Sequence, residues 1–117
     1  MPIRLEAKGG CPTVKLRGRE VLEAFITRHA AARVPLDRWQ RVILNAEWRN
    51  FADLRRTFSS ADQVRVNREL VATVFNVGGN KYRLISEVVY ATGIVETLTI
   101  LTHADYDKGR WKGTLAT

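Results

Sequence analysis

The chain has 117 residues, which fits one domain rather than two. Its 19 lysines and arginines exceed its 12 aspartates and glutamates, which gives a net charge of +7. An apolar content of 45% excludes a disordered tail, and no apolar run approaches the ~20 residues of a membrane span. Cys11 is the single cysteine, so an internal disulfide is excluded. With no apolar segment typical of a secretory signal at the start, we expect a reduced, cytoplasmic domain.

The positive charge is concentrated in the first half of the chain. Residues 1–60 carry 12 basic and 6 acidic groups, whereas residues 61–117 carry 7 and 6. A basic excess favours a polyanionic partner such as RNA, DNA or an acidic protein. A solvated basic surface that keeps the protein soluble is the alternative explanation.

The chain begins with an expected extension, residues 1–12, which holds at most a short edge strand at residues 3–7. Residues 13–17 alternate apolar and polar side chains, which predicts a strand that Gly18 ends. Apolar residues then recur with a helical period over residues 19–29, which predicts a helix with one buried stripe.

A second helix is predicted around Pro35, which suits the first turn because its missing N–H has no helical partner there. Residues 31–34 would join the two helices as an antiparallel hairpin. Asn50 is the expected N-cap of a short third helix, Phe51–Thr57, followed by a loop at residues 59–62. The inner face of the second helix is predicted to carry Leu36, Trp39, Ile43 and Ala46.

The second half is predicted to be a meander of three antiparallel strands. Glycine-containing turns at residues 78–80 and 91–93 separate strands at residues 70–77, 81–90 and 94–102. The fold class is therefore α+β, with an N-terminal strand and a helical hairpin packed on an antiparallel sheet. We expect one domain over residues 13–112 and a tail at residues 113–117.

The middle strand of this meander has two distinct faces. Tyr82, Leu84 and Val88 form an apolar face that suits packing against the helices, whereas Lys81 and Arg83 point to the other face. Glu87 belongs to the same polar face.

Residues 101–112 are the richest in chemically active side chains, with His, Tyr, two Asp and basic residues close together. The alternative is an ordinary polar strand end followed by a charged turn of helix. His103 is the side chain best suited to proton transfer near neutral pH. His103 and Asp105 are too few ligands at too irregular a spacing for a metal site, so no metal is assigned.

Two sequence blocks resemble the HigB family of bacterial toxins. They read FNVGGNKYRL at residues 75–84 and LTHADYDK at residues 101–108, and WRNFAD at residues 48–53 and SAD at residues 60–62 precede them in the family's order. The resemblance covers most of residues 14–112. It implies a RelE-like fold and an mRNA interferase that acts in the A site of the 30S ribosomal subunit. It also implies a HigA-like helix-turn-helix antitoxin, through which alone the toxin would contact DNA, and neither a cofactor nor a membrane.

The resemblance also implies roles for individual residues. In a metal-free RNase, the 2′-OH of one nucleotide attacks its own 3′ phosphate, which requires proton transfer and positive charge. By position, Arg83 matches the family's phosphate-stabilising residue, and Lys81 would share that role. His103 would transfer a proton, and Tyr106 would stack on a base or donate its hydroxyl. Either Asp105 or Asp107 would orient His103.

RNA contacts outside this site are assigned to Lys15, Arg38, Arg41 and Lys108. One departure from the family is the strand at residues 95–100, which lacks basic residues. Glu87 and Glu96 would oppose phosphate binding if they faced it. A degenerate relative that binds RNA or ribosomes without cutting is therefore the alternative function. A sequence-specific DNA binder is disfavoured, because no tight turn joins the two predicted helices.

Overall fold

The computed structural model of the protein describes residues 13–116, so the expected extension at residues 1–12 lies outside the described residues. Its elements, in chain order, are β1 (Lys15–Arg17), α1 (Arg19–Arg28), α2 (Arg33–Leu44), α3 (Phe51–Thr57), β2 (Asp62–Arg65), β3 (Val71–Val77), β4 (Tyr82–Val89), β5 (Ile94–Thr102), α4 (His103–Lys108) and α5 (Arg110–Ala116). No helix in this part of the chain is long and apolar enough to cross a membrane.

The strands form one sheet in the order β1-β5-β4-β3-β2. Strands β2 to β5 are antiparallel neighbours, as the predicted meander requires, and β1 pairs with β5 in parallel. The α+β class is confirmed, but the sheet is mixed rather than wholly antiparallel. The long connection from β1 to β5, which contains helices α1 to α3 and strands β2 to β4, permits this, because parallel strands cannot be joined by a tight turn.

Strand β2 is an element that the sequence does not predict. Asp62 to Arg65 is a short, mostly exposed edge strand without a clear apolar alternation. The loop expected at residues 59–62 therefore ends one residue early, because pairing with β3 makes Asp62 part of the sheet.

The main core lies between the sheet and helices α1 to α3. The predicted inner face of α2 is confirmed for Leu36, Trp39 and Ile43, which are buried. Ala46 also packs against the core, but it lies beyond the end of the helix at Leu44. Tyr82 and Leu84 face this core from the sheet.

The connection between α1 and α2 differs from the expected one. A single turn of 3-10 helix, Ala30–Ala32, joins them, and α2 already begins at Arg33. The linker predicted at residues 31–34 is therefore wrong in its end, because α2 begins two residues earlier than expected. Pro35 does lie in the first turn of the helix. The N-cap at Asn50 is confirmed, because its Oδ1 accepts a hydrogen bond from the N–H of Asp53 at 2.9 Å.

A second, smaller core lies on the other face of the sheet. It consists of Ala72, Val74, Ile85 and Trp111, with the partly buried Tyr106 and Leu115 packed against it. Helix α5 supplies Trp111 and Leu115, and it crosses the expected domain boundary at residue 112. Apolar residues of this helix therefore pack against Ile85, on the same face of β4 as Arg83.

Candidate active site

Four side chains predicted to act in catalysis lie where β4 begins, β5 ends and α4 starts. This cluster consists of Lys81, Arg83, His103 and Tyr106. Tyr82 and Thr102 are opposite each other in the β4–β5 pair, and the N–H of His103 donates to the carbonyl of Lys81 at 3.0 Å. Thr102 is the N-cap of α4, with its Oγ1 accepting from the N–H of Asp105 at 3.2 Å. The end of one strand and the first turn of a helix therefore bring Lys81 and His103 together.

Arg83 is the buried cation of this cluster, with only 8% of its surface exposed. Its guanidinium donates to the carbonyls of Asn80 and Tyr82, both at 3.3 Å, and to Oδ1 of Asn80 at 3.4 Å. All three acceptors are neutral, and no carboxylate within residues 13–116 forms an ion pair with it. A buried charge is normally paired with an opposite charge, and among the described residues this guanidinium has only neutral hydrogen-bond acceptors.

Tyr106 lies directly beside that guanidinium. The Cζ of Arg83 is 5.7 Å from the centre of the phenol ring, and the same ring stacks on Trp111 at 5.5 Å with an interplanar angle of 17°. Burial is the main cause that raises the pKa of Tyr106, helped by Asp62 and Asp107 and opposed by Arg83. The hydroxyl is thus protonated at neutral pH, as at its ordinary pKa, and is available as a hydrogen-bond donor.

His103 is held by one of the two aspartates that the sequence left open. Its Nδ1 lies 2.9 Å from Oδ2 of Asp107, one helical turn further along α4. Asp105 instead contacts Lys108, with 3.7 Å between its Oδ1 and Nζ. When the Nδ1–H of His103 donates to Asp107, the Nε2 of the neutral imidazole is the acceptor nitrogen and faces away from the carboxylate.

Lys81 and the other residues predicted from the sequence are exposed, and three of them lie far from this cluster. Lys81 is exposed in the turn before β4, with its backbone bound to α4, and Lys108 is exposed and paired with Asp105. Arg38 and Arg41 are exposed on α2, which packs on the opposite face of the sheet. Lys15 pairs with Ile94 at the far end of β5, about 26 Å from Thr102 at roughly 3.3 Å per residue.

Comparison with known proteins identifies the family. The family model described as HigB toxin, a RelE-like toxic component of a toxin-antitoxin system, matches residues 32–109. The chain belongs to the HigB toxin family. An antitoxin is therefore the partner of this toxin. No curated protein matches the chain. The matched region contains Arg83, His103 and Tyr106 and ends before α5, which begins at Arg110.

The two glutamates of the toxin's sheet lie away from Arg83. Glu87 of β4 is paired directly with Glu96 of β5, and Glu96 is next to Arg17 of β1. Four residues along an extended strand separate Glu87 from Arg83, or about 13 Å at roughly 3.3 Å per residue. Their charges are therefore not in contact with a phosphate at the guanidinium.

Two residues of the site were missed from the sequence: Asn80 and Asp62. Asn80 was interpreted only as a turn residue. In the structure it also accepts hydrogen bonds from Arg83, whose side chain folds back onto the turn. Asp62 reaches the site only through β2, for which the sequence carries no clear signal. A usable signal for α4 did exist, since Thr102 precedes Asp105 by three residues, as in a helix cap.

The toxin's described residues also offer no ready metal site. Within residues 13–116, no three His, Cys, Asp or Glu side chains are grouped so that they could hold a metal ion. The polar groups of the cluster are instead one cation held by neutral acceptors, one His–Asp pair and one phenol. That set is suited to binding an anion and transferring protons.

Proposed function

We propose that this toxin is an endoribonuclease that cuts mRNA on the ribosome without a metal ion. The observation that carries the proposal is Arg83, a buried guanidinium with no carboxylate partner among the described residues, beside Tyr106 of α4, the helix that also holds the His103–Asp107 pair. A phosphodiester is the anion that such a site suits, and Tyr106 and His103, both on α4, are side chains of the kind that transfer protons in RNA cleavage.

In the proposed reaction, the 2′-oxygen of one nucleotide attacks the phosphorus of its own 3′ phosphate. The new O2′–P bond forms as the P–O5′ bond breaks, which leaves a 2′,3′-cyclic phosphate and a free 5′-hydroxyl. The Nε2 of His103 takes the proton from the 2′-OH, and the hydroxyl of Tyr106 gives a proton to the departing 5′-oxygen. DNA lacks the attacking group and is not a substrate.

Arg83 would stabilise the negative charge that develops on the phosphoryl oxygens, and Lys81 would add a second, mobile charge. The hydrogen bonds from the guanidinium to Asn80 and Tyr82 fix it before substrate binds, so little reorganisation is needed during the reaction. For Tyr106, these contacts favour hydroxyl chemistry over base stacking, because Trp111 and Arg83 already occupy ring surface.

The proposal extends to the partners of the toxin. The exposed Arg38 and Arg41 on the helical face, together with Lys15 and Lys108, would hold ribosomal RNA or mRNA through phosphate contacts. Cleavage would take place in the cytoplasm, in the A site of the 30S subunit. A HigA-like helix-turn-helix antitoxin would neutralise the toxin and make the only contact with DNA.

The test combines product chemistry with matched variants. Purified toxin is incubated with ribosomes and mRNA, and we expect ends that carry cyclic phosphate and 5′-hydroxyl, with no cut where the scissile nucleotide is 2′-deoxy. Arg83→Gln should lower the cleavage rate about 10²–10³-fold, as the loss of a transition-state donor does. His103→Ala should relieve growth arrest, whereas Arg28→Gln, an exposed cation in α1, should not.

The alternative function, a module that binds RNA or ribosomes without cutting, gives different results. The absence of basic residues from β5, the strand that leads into the site, favours it, because few positive charges then stand beside the phosphate to be cleaved. Ribosome binding with a steep salt dependence, but no new RNA ends, would establish this alternative and refute the nuclease proposal.

A further inference from the structure

The tyrosine of the site is supported from outside the region that matches the family model. Trp111 is in α5, only 5% exposed, and packs with Ala72, Val74 and Ile85 of the sheet. Its indole ring is nearly parallel to the ring of Tyr106. The matched region ends at residue 109, so Trp111 lies two residues beyond it.

Helix α4 alone is a weak platform for Tyr106. It has six residues, and none of them is fully buried. So short a helix is marginal without tertiary contacts. Gly109, in a left-handed conformation with φ 75°, ends α4 and lets the chain turn directly into α5. That turn places Trp111 against the sheet and against Tyr106 at the same time.

We propose that Trp111 is a positioning residue, which holds Tyr106 beside Arg83 so that the phenol hydroxyl and the guanidinium reach the same phosphate. The inference rests on the proposed nuclease function for its effect on cleavage. The chain of contacts runs from the sheet through the indole to the phenol and then to the guanidinium. The contacts of Trp111 are with the sheet and with the phenol ring, so its effect on the reaction would pass through Tyr106.

A purely structural tryptophan would give a different mutational pattern from a positioning one. Trp111→Leu keeps apolar contact with the second core but removes the flat surface on which the phenol stacks. Trp111→Phe keeps a stacking ring. Leu115→Ala, in the same helix and the same core, is the matched control because it removes apolar contact from α5 while leaving the indole ring of Trp111 in place.

The first readout is cleavage of ribosome-bound mRNA at a temperature where all variants are folded. Trp111→Leu should lower kcat about 10²-fold with little change in KM, because misplacing a catalytic group by about 1 Å costs that much. Trp111→Phe should recover most of the lost activity, and Leu115→Ala should keep it. Equal loss in Trp111→Leu and Leu115→Ala, or no rescue by phenylalanine, would overturn the positioning role.

The second readout does not depend on activity. NMR of ring-labelled tyrosine follows the three tyrosines of the chain, with Tyr106 assigned through Tyr106→Phe. Because burial raises the pKa of Tyr106, we expect Trp111→Leu, but not Leu115→Ala, to move that pKa back toward its ordinary value. An unchanged Tyr106 pKa in Trp111→Leu overturns the inference. If the parent toxin cuts no RNA, the nuclease proposal fails and this titration alone decides whether Trp111 holds Tyr106.

Discussion

The pairing of His103 with Asp107 leads to a quantitative prediction for Asp107→Asn. The substitution keeps the size of the side chain and removes the carboxylate that accepts a hydrogen bond from Nδ1–H of His103, with 2.9 Å between Nδ1 and Oδ2. The imidazole then loses its preferred tautomer and orientation, so Nε2 is a less effective base. We expect slower cleavage without loss of the fold, since both side chains are on the surface.

The size of the effect follows from exposure. The side chains of His103 and Asp107 are 45% and 61% exposed, so solvent screens their interaction. Exposed pairs contribute about 0.2–1 kcal/mol, and since about 1.4 kcal/mol corresponds to a tenfold change, kcat/KM should fall no more than about fivefold. A deeply buried pair would give a much larger loss.

The matched control is Asp105→Asn, which removes the same charge from the same helix. Asp105 contacts Lys108 rather than His103, so its loss should leave kcat/KM unchanged. The assay is single-turnover cleavage of ribosome-bound mRNA, repeated in a His103→Ala background where Asp107→Asn should have no further effect. A loss above about tenfold in Asp107→Asn, or equal losses in both variants, would contradict the reasoning.

Two further predictions concern stability. Gly18 has φ 82°, and a Cβ there would collide with the carbonyl of Thr97, so Gly18→Ala should lower the free energy of unfolding by at least about 2 kcal/mol. Gly109→Ala, with φ 75° but open space, should cost only about 1 kcal/mol, and equal losses in urea unfolding would refute the role of the collision. The hydrogen bond from the side chain of Arg49 lowers the pKa of Asp53 from 3.8 to about 2. The ionised Asp53 therefore stabilises the folded state above about pH 4, and this stabilisation is lost as pH falls toward 2. Asp53→Asn should flatten that part of the stability–pH curve, and an unchanged slope would exclude Asp53 as its source.

Local patterns were sufficient for most of the elements. The third helix begins and ends as predicted, with Asn50 as its cap, and β5 spans the predicted residues. The apolar stripe of α2 and the apolar face of β4 also occupy the main core as expected. These features depend on periodicity, caps and turn residues, which act over a few neighbouring positions. The HigB motifs identified the family for the same reason, because they are contiguous in the chain.

The sequence by itself therefore determined the α+β class, the family and the group of residues from which the proposed site is built. Only the tertiary structure chose Asp107 over Asp105, placed Lys15 at the distant end of β5 and stacked Trp111 on Tyr106. It also showed Arg83 buried among neutral acceptors. Each of these facts depends on the direction of a side chain or on pairing between distant segments. Residue spacing along the chain does not encode such contacts, because packing decides them.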